Sequence, residues 1–220
     1  MKKVLKFCAA FFLIGVAIAV FAAIIRQENY PAEMQAIVKN EVLHNYYEKN
    51  GKAPDAYTHD PIDVFDYEGN IQAKHLCYIP EIGQAQISVR YGTVAFENIA
   101  DKYDLDYIPE LGCEGISFRL RAIELVDGAF SNEDKNVDDE DIISECYFEI
   151  SESVDLTSGR HQYHRLVFDG IDFEKYNCLY LEMYYKDNEK PFTSIIIYHI
   201  DAAEFNKETV DITADDCKMP

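Results

Sequence analysis

The chain has 220 residues, of which 48% are hydrophobic and 27% are charged, and forty acids against twenty bases give a formal net charge of −20. This composition is too apolar for a disordered chain and too charged for a polytopic membrane protein. The length fits one domain with short appendages.

The first 26 residues combine a basic start with a long uncharged run. Three lysines lie within the first six residues, and the nineteen residues 7–25 that follow carry no charge. As a helix this run is roughly 28 Å long, close to the apolar thickness of a bilayer. The sequence therefore predicts a single-pass membrane anchor over residues 1–26. Because the basic flank stays inside, the N-terminus is expected in the cytoplasm and the remaining chain outside the cell membrane.

A cleaved signal peptide is the alternative interpretation of the same segment. Small-x-small sites occur at Ala17-Ile18-Ala19 and at Val20-Phe21-Ala22. The apolar run continues beyond the first of these sites, which favours a retained anchor, since signal peptides have shorter apolar regions. Cleavage would give a secreted protein instead of a membrane-bound one.

The part of the chain beyond Arg26 is strongly acidic. It carries sixteen bases and all forty acids, a net charge of −24. Such a field repels phosphates, and no basic stripe compensates for it, so nucleic-acid binding is excluded. The acidity keeps the domain soluble, and it also favours a cationic ligand or a basic partner.

The outer part has an odd number of cysteines, and none of them is in a CxxC motif. Two disulfides or free thiols in the core are both compatible with their spacing. They are Cys77, Cys113, Cys146, Cys178 and Cys217.

Residues 27–50 are predicted to contain a short amphipathic helix, over residues 31–49. Pro31 suits the first helical position, and Asn50-Gly51 supplies a stop signal. The apolar side chains recur every three or four residues, at Met34, Ile37, Val38, Val42 and Tyr46.

Beyond this helix the pattern changes to turns and then to strands. Residues 51–74 are rich in turn-forming pairs and are predicted as a loop-rich connection with one short strand near Phe65. Residues 75–220 alternate apolar and polar side chains in several segments, which is typical of antiparallel strands with one wet and one dry face. The predicted fold is mainly β, an antiparallel β-sandwich-like domain preceded by an N-terminal transmembrane helix and the amphipathic helix.

An internal repeat is the most unusual feature of the β domain. Residues 78–90 read YIPEIGQAQISVR and residues 107–119 read YIPELGCEGISFR, with eight of thirteen positions identical. The Pro-Glu-x-Gly part predicts a tight turn in each copy, with glycine at positive φ. Each turn is expected to lead into a strand Ile-Ser-x-Arg whose arginine faces outward. Turn chemistry explains most of the identities; the functional interpretation is a partner-binding surface formed by Glu81, Arg90, Glu110 and Arg119.

The acidic loop 131–141 is the candidate metal site. Asp134, Asn136, Asp138 and Glu145 take positions 1, 3, 5 and 12 of a calcium-loop spacing, in which alternate oxygens and a bidentate glutamate surround the ion. The sixth position is Asp139 where a glycine is required, and strand-like sequence follows the loop. A solvated acidic loop explains the same residues, so no cofactor is predicted, and calcium remains the alternative.

The remaining polar residues give no catalytic pattern. His161 and His164 would face opposite sides of a strand and could not share a metal ion. The sequence contains no HExxH, GxSxG, P-loop or SxxK motif. Several of the sixteen tyrosines, among them Tyr147, Tyr180 and Tyr184, are on outward positions and are either good strand residues or part of a binding face.

Together these features predict a non-enzymatic module that binds or scaffolds a protein partner outside the membrane, to which residues 7–25 attach it. A calcium-responsive module and a hydrolase without a recognisable motif are the other two hypotheses.

Overall fold

The computed structural model describes residues 30–59, 65–66, 71–92, 116–126, 139–158, 161–185, 188–200 and 208–219. Within these residues the chain forms one α-helix and eleven β-strands. The helix α1 is Glu41–Asn50. The strands are β1 Ala56–His59, β2 Phe65–Asp66, β3 Ile71–Ile79, β4 Gln84–Gly92, β5 Ile116–Leu125, β6 Ile142–Glu149, β7 Glu152–Ser158, β8 His161–Phe168, β9 Cys178–Tyr185, β10 Thr193–His199 and β11 Glu208–Val210.

The strands form two antiparallel sheets. Sheet A has the order β11-β1-β3-β4-β8-β7, with β2 also paired to β3, and sheet B has the order β10-β9-β5-β6. The inner faces of both sheets contribute to one hydrophobic core, for example Ile87 and Val89 from β4, Leu120 from β5 and Leu181 from β9, all fully buried. The predicted mainly β, sandwich-like architecture is confirmed.

The strands with clean alternation lie where the sequence predicts them. β4, β5, β6 and β9 correspond to the four alternating segments, and β8 and β10 to the two further predicted strands. On β5 and β9 the residues Phe118, Leu120, Leu179 and Leu181 point into the core, because a period of two sends alternate residues to opposite faces.

Residues 51–74 contain the short strand predicted near Phe65, which is β2, but they have more strand than the predicted loop-rich connection. They contain β1, β2 and the first residues of β3, and β1 lies between β11 and β3 in sheet A. The register of β3 against β4 shifts between Lys74 and Cys77, and His75 has a φ of 55° there. The inward side chains are therefore at odd positions before the bulge, such as Ala73, and at even positions after it, such as Leu76. Because of this change of phase, the sequence of β3 does not show one continuous alternation of apolar and polar residues.

The predicted helix over 31–49 is also different in the structure. Residues Ala32–Met34 form one 3₁₀ turn, and α1 begins at Glu41. The Asn40 side chain caps α1, because its Oδ1 accepts from the backbone N–H of Leu43 at 3.0 Å. The apolar residues that the sequence predicts on one helix therefore lie partly in the segment before α1 and partly in α1 itself.

Residues 30–40, the covering segment, lie against the outer face of sheet A. Gln86 on β4 holds both backbone groups of Val38, accepting from its N–H at 2.8 Å and donating to its carbonyl at 3.0 Å. Ser88 donates to the carbonyl of Met34. Gln84, Gln86 and Ser88 are fully buried, whereas the alternation on β4 predicts a wet face. The covering segment supplies hydrogen-bond partners to Gln86 and Ser88, and Asp169 accepts from Gln84, in place of water.

A buried arginine lies beneath the same segment. Arg165 on β8 donates from Nη1 to the carbonyl of His75 at 2.5 Å and to Ser88 Oγ at 3.2 Å. Burial lowers its pKa to about 10, and the nearby Cys77 partly opposes this change. The layer between β8 and the covering segment therefore combines this buried cation with an apolar cluster of Tyr30, Met34 and Tyr163.

Helix α1 packs on sheet A beside the covering segment. Leu43 of α1, Cys77 and Ile79 of β3, and Ile212 and Cys217 near the end of the chain belong to one buried cluster. Among the residues described, no helix is long and apolar enough to span a membrane. The anchor predicted over residues 1–26 lies outside the described residues.

Four cysteines belong to the described residues, and none of these four is in a disulfide. Burial raises the pKa of Cys77 to about 11 and that of Cys178 to about 12, from an ordinary value of 9.0. Because the folded state holds these protons more tightly, their contribution to stability is complete below pH 9 and is lost as the pH rises toward the folded values.

We expect the free energy of unfolding in reducing buffer to fall by about 1 kcal/mol per buried thiol between pH 9 and pH 10. Urea unfolding at the two pH values measures this loss. The Cys77→Ala variant should lose the contribution of that thiol. An unchanged pH dependence in the variant would contradict the assignment.

Candidate protein-binding surface

The outward side chains of β5, β6 and β9 form one polar and aromatic face, here called the sheet B surface. Its members combine two arginines, three glutamates and three tyrosines with a serine. They are Ser117, Arg119 and Arg121 on β5, Glu145, Tyr147 and Glu149 on β6, and Tyr180, Glu182 and Tyr184 on β9.

The strand register places these residues in rows across the sheet. In one row Glu182 is opposite Arg119, which is opposite Glu149. In the next row Tyr180 is opposite Arg121, which is opposite Tyr147. Directly opposed side chains are near enough to interact, so the surface is a set of cross-strand pairs centred on β5.

Two ion pairs join β5 to β6. Arg119 Nε lies 2.9 Å from Glu149 Oε1, and Arg121 contacts Glu145 Oε2 from Nη2 at 2.6 Å and from Nε at 2.8 Å. Burial opposes the charge of Arg121, but the hydrogen bond to Glu145 and the nearby acidic groups outweigh it and raise the pKa of Arg121. Exposed pairs of this kind stabilise by roughly 0.2–1 kcal/mol each, so their main effect is to orient the two guanidinium groups.

The β9 side of the surface is mostly shielded from solvent. Tyr184 and Glu182 are both buried, and Tyr184 Oη donates to Glu182 Oε2 at 2.5 Å. Burial and this hydrogen bond raise the pKa of Tyr184 to about 12, so the phenol keeps its proton at neutral pH. The Arg119 guanidinium lies 5.3 Å from the centre of the Tyr184 ring, a cation–π contact.

The β6 side of the surface is open. Tyr147 is 46% exposed and Ile143, on the same strand, is 59% exposed. Val126, directly after β5, is 46% exposed. Exposed aromatic and aliphatic groups beside ordered arginines are typical of the centre of a protein interface.

The residues predicted for partner binding from the repeat are not brought together. Arg90 lies on the outer face of sheet A, where it donates to Gln72 Oε1 and lies 5.7 Å from the Tyr30 ring centre. Arg119 lies on the outer face of sheet B, so the two arginines face away from each other across the core.

Glu81 has a local structural role. Its Oε2 accepts from the backbone N–H of Asp55 at 2.8 Å, and its Oε1 lies 3.9 Å from Lys52 Nζ. The backbone hydrogen bond is the largest cause that lowers the pKa of Glu81. Glu110 lies outside the described residues.

The first copy of the repeat forms the predicted turn. Pro80–Ile82 is a 3₁₀ turn, and Gly83 follows it with a φ of 64°. Arg90 on β4 and Arg119 on β5 both point away from the core, as predicted for the two copies. Residues 107–115, which include the turn of the second copy, lie outside the described residues.

The predicted calcium ligands are only partly covered by the structure. Asp134, Asn136 and Asp138 lie outside the described residues. Glu145, the fourth, is paired with Arg121 on the sheet B surface. In the described ranges no group of three histidines, cysteines or acids is close enough to hold a metal ion.

The histidines follow the prediction from strand geometry. His161 and His164 lie on opposite faces of β8, because His161 is near Tyr163 whereas His164 contacts the core residue Phe118. His164 joins two strands, since its Nδ1 lies 2.7 Å from Asp155 Oδ1 and its Nε2 lies 2.5 Å from Tyr91 Oη. These contacts link β7 to β4 through the half-buried His164, and Asp155 at one end of the link is exposed.

The sequence-based search found Arg119 and the outward tyrosines but missed Arg121 and Glu182. The signal was present on β5, because Ser117, Arg119 and Arg121 alternate with buried residues. The partners of each arginine depend on β5 lying between β6 and β9, which the local sequence does not encode.

Comparison with protein-family models, curated proteins and solved structures finds no match to this chain.

Proposed function

We propose that the chain is a non-enzymatic protein-binding module, held outside the membrane by an anchor in residues 7–25, and that its partner binds the sheet B surface. The exposed Tyr147 next to the ordered arginine Arg121 is the observation that carries this proposal. Tyrosine and arginine are enriched at interfaces because both offer large contact areas together with directional polar groups.

The proposed anchor rests on the sequence alone. The nineteen uncharged residues after three lysines are long enough to cross a bilayer. In this arrangement the strongly acidic domain is on the outer side, where it meets diffusible or surface-bound proteins.

Site-specific cross-linking tests the proposal in the full-length chain. We expect p-benzoylphenylalanine in place of Tyr147 to give a covalent adduct of defined mass in the cells that make the protein. The same group at Glu48, an exposed position on α1, should give none, because α1 lies on the opposite sheet. Mass spectrometry of the purified adduct identifies the captured protein.

A charge variant gives the second readout of this prediction. Arg121→Glu should lower the yield of the adduct at position 147 at least about fivefold, since it removes an interfacial cation. Arg90→Ala, on the other sheet, should leave the yield unchanged. Absence of an adduct at position 147, or equal adducts at 147 and 48, would contradict the proposed function.

A further inference from the structure

Strand β6 is an open edge of sheet B. It pairs with β5 on one side, and among the described residues no strand pairs with its other side. β6 is eight residues long and carries the exposed side chains Ile143 and Tyr147. Proteins usually blunt such an edge, because its free N–H and carbonyl groups are a template for another strand.

One row of side chains across sheet B alternates in charge and stops at this edge. The row through Arg119 reads Glu182, Arg119, Glu149, which is acid, base, acid from β9 to β6. The side chain of Glu149 is 70% exposed, so it is accessible to a second cation. A strand added beside β6 would continue the alternation with a base opposite Glu149.

The chain around this edge contains acids and no bases. Residues 139–158 include seven aspartates and glutamates and no lysine or arginine. Arg119 and Arg121 neutralise two of them, and His164 contacts a third. The excess negative charge disfavours pairing of β6 with β6 of a second copy and favours a basic partner.

We propose that the open edge of β6 accepts an extended basic segment of the partner protein as an added strand, with lysine or arginine opposite Glu145 and Glu149 and an apolar or aromatic side chain opposite Tyr147. This inference rests on the proposed function, because it specifies how the partner meets the sheet B surface.

The spacing on β6 defines the sequence pattern of that segment. Glu145, Tyr147 and Glu149 are two residues apart and point to the same side, so each step covers roughly 6.6–6.8 Å along the strand. The matching segment reads base-x-aromatic-x-base. Because this pattern is symmetric, it fits β6 in either strand direction. Main-chain hydrogen bonds supply the affinity, and the alternate side chains supply the specificity.

Fluorescence anisotropy with synthetic peptides tests the edge directly. The probe is fluorescein-labelled Thr-Lys-Thr-Tyr-Thr-Lys-Thr, added to the purified full-length chain in non-ionic detergent. We expect saturable binding of this peptide and none of the matched peptide with glutamate in place of both lysines.

Variants of the chain separate the edge from the general negative charge. The double variant Glu145→Lys with Glu149→Lys should weaken binding at least tenfold, and the milder double variant Glu145→Gln with Glu149→Gln at least threefold. The double variant Glu48→Lys with Glu208→Lys has the same net charge as the first, but its changes lie on exposed positions of the sheet A side. It should bind within twofold of the wild type. Equal losses in both lysine doubles would overturn the proposal.

Methylation of the peptide nitrogens tests strand addition itself. In an added strand alternate N–H groups face β6, so methylating one alternating set should abolish binding and methylating the other set should not. If the peptide still binds with either set methylated, the binding is electrostatic only and the proposal is overturned. If methylation of either set abolishes binding, the proposal is overturned as well.

The failure of this inference and the failure of the proposed function give different results. If cross-linking gives an adduct at position 147 but the peptide does not bind, the added strand is refuted. The proposal that a partner binds the sheet B surface then still stands. Sedimentation tests whether the edge pairs with a second copy of the chain. If the wild type is a dimer and the Glu145→Lys, Glu149→Lys double variant is a monomer, the edge belongs to that second copy and the inference is also overturned.

Discussion

Replacing Gly83 by alanine is expected to lower the free energy of unfolding by about 2–5 kcal/mol, from left-handed backbone strain together with overpacking. Gly83 has a φ of 64°, and an added Cβ would lie 2.6 Å from the carbonyl oxygen of Ile171. That oxygen belongs to the backbone, and the Ile171 N–H already donates to the carbonyl of Gly83 at 2.8 Å. Neither group is able to move away without loss of the contact.

Gly51 provides a matched control for this substitution. It also has positive φ, at 67°, but no atom lies within 4 Å of an added Cβ. Gly51→Ala should therefore cost only the backbone strain, about 1–2 kcal/mol. Urea unfolding followed by circular dichroism measures both variants. If Gly83→Ala and Gly51→Ala lower the free energy of unfolding equally, the contact with Ile171 does not add to the destabilisation.

The second large effect is expected at Gln86, which joins the covering segment to β4. Gln86→Ala removes the bonds to both backbone groups of Val38 and the bond of 2.8 Å that Gln86 donates to Gln84 Oε1. A buried polar group that loses its partner costs about 1–3 kcal/mol, so we expect a total loss on the order of 3 kcal/mol. Hydrogen exchange at the Val38 amide should accelerate by more than tenfold.

Gln35→Ala is the control for the covering segment. Gln35 lies in the same segment, is exposed, and donates a single bond to the carbonyl of Tyr30 at 2.7 Å. Its loss should cost no more than about 1 kcal/mol, because water replaces the bond. A slow Val38 amide in the Gln86 variant would be evidence against the role assigned to Gln86.

The sequence predicts the strands of this fold well where one face is apolar and the phase is constant. β5 and β9 meet both conditions, and their inward residues, such as Leu120 and Leu181, are in the core. β3 fails the second condition, because the bulge near His75 changes its phase. These differences arise from local backbone geometry, which composition and periodicity do not report.

The polar side of β4 shows a different limit of periodicity. Gln84, Gln86 and Ser88 have the pattern of a solvated face, yet they are buried beneath residues that are far away in sequence. Alternation tells which residues share a face, and the tertiary structure decides whether that face meets water. The same limit applies to Arg90 and Arg119, which the repeat makes equivalent and the two sheets separate.

The candidate surface was predictable in its residue types but not in its pairing. Outward positions for Arg119 and Tyr147 follow from a period of two. The pairing of Arg121 with Glu145 requires the register of β5 and β6, and the order acid, base, acid through Arg119 also requires β9. Register between strands distant in the chain is set by the whole core.

Pairing between β1 and β11 has a consequence for the order of folding. Residue 56 is paired with residue 210, and Ile212 and Cys217 complete the cluster around α1. Sheet A is therefore incomplete until nearly all of the chain up to residue 217 has left the ribosome. A fold dominated by such distant contacts forms slowly, since long loops close before their contacts stabilise anything. Sheet A therefore assembles only after residues 208–217 have been synthesised. Until then β1 lacks its neighbour β11, and α1 lacks its contacts with Ile212 and Cys217.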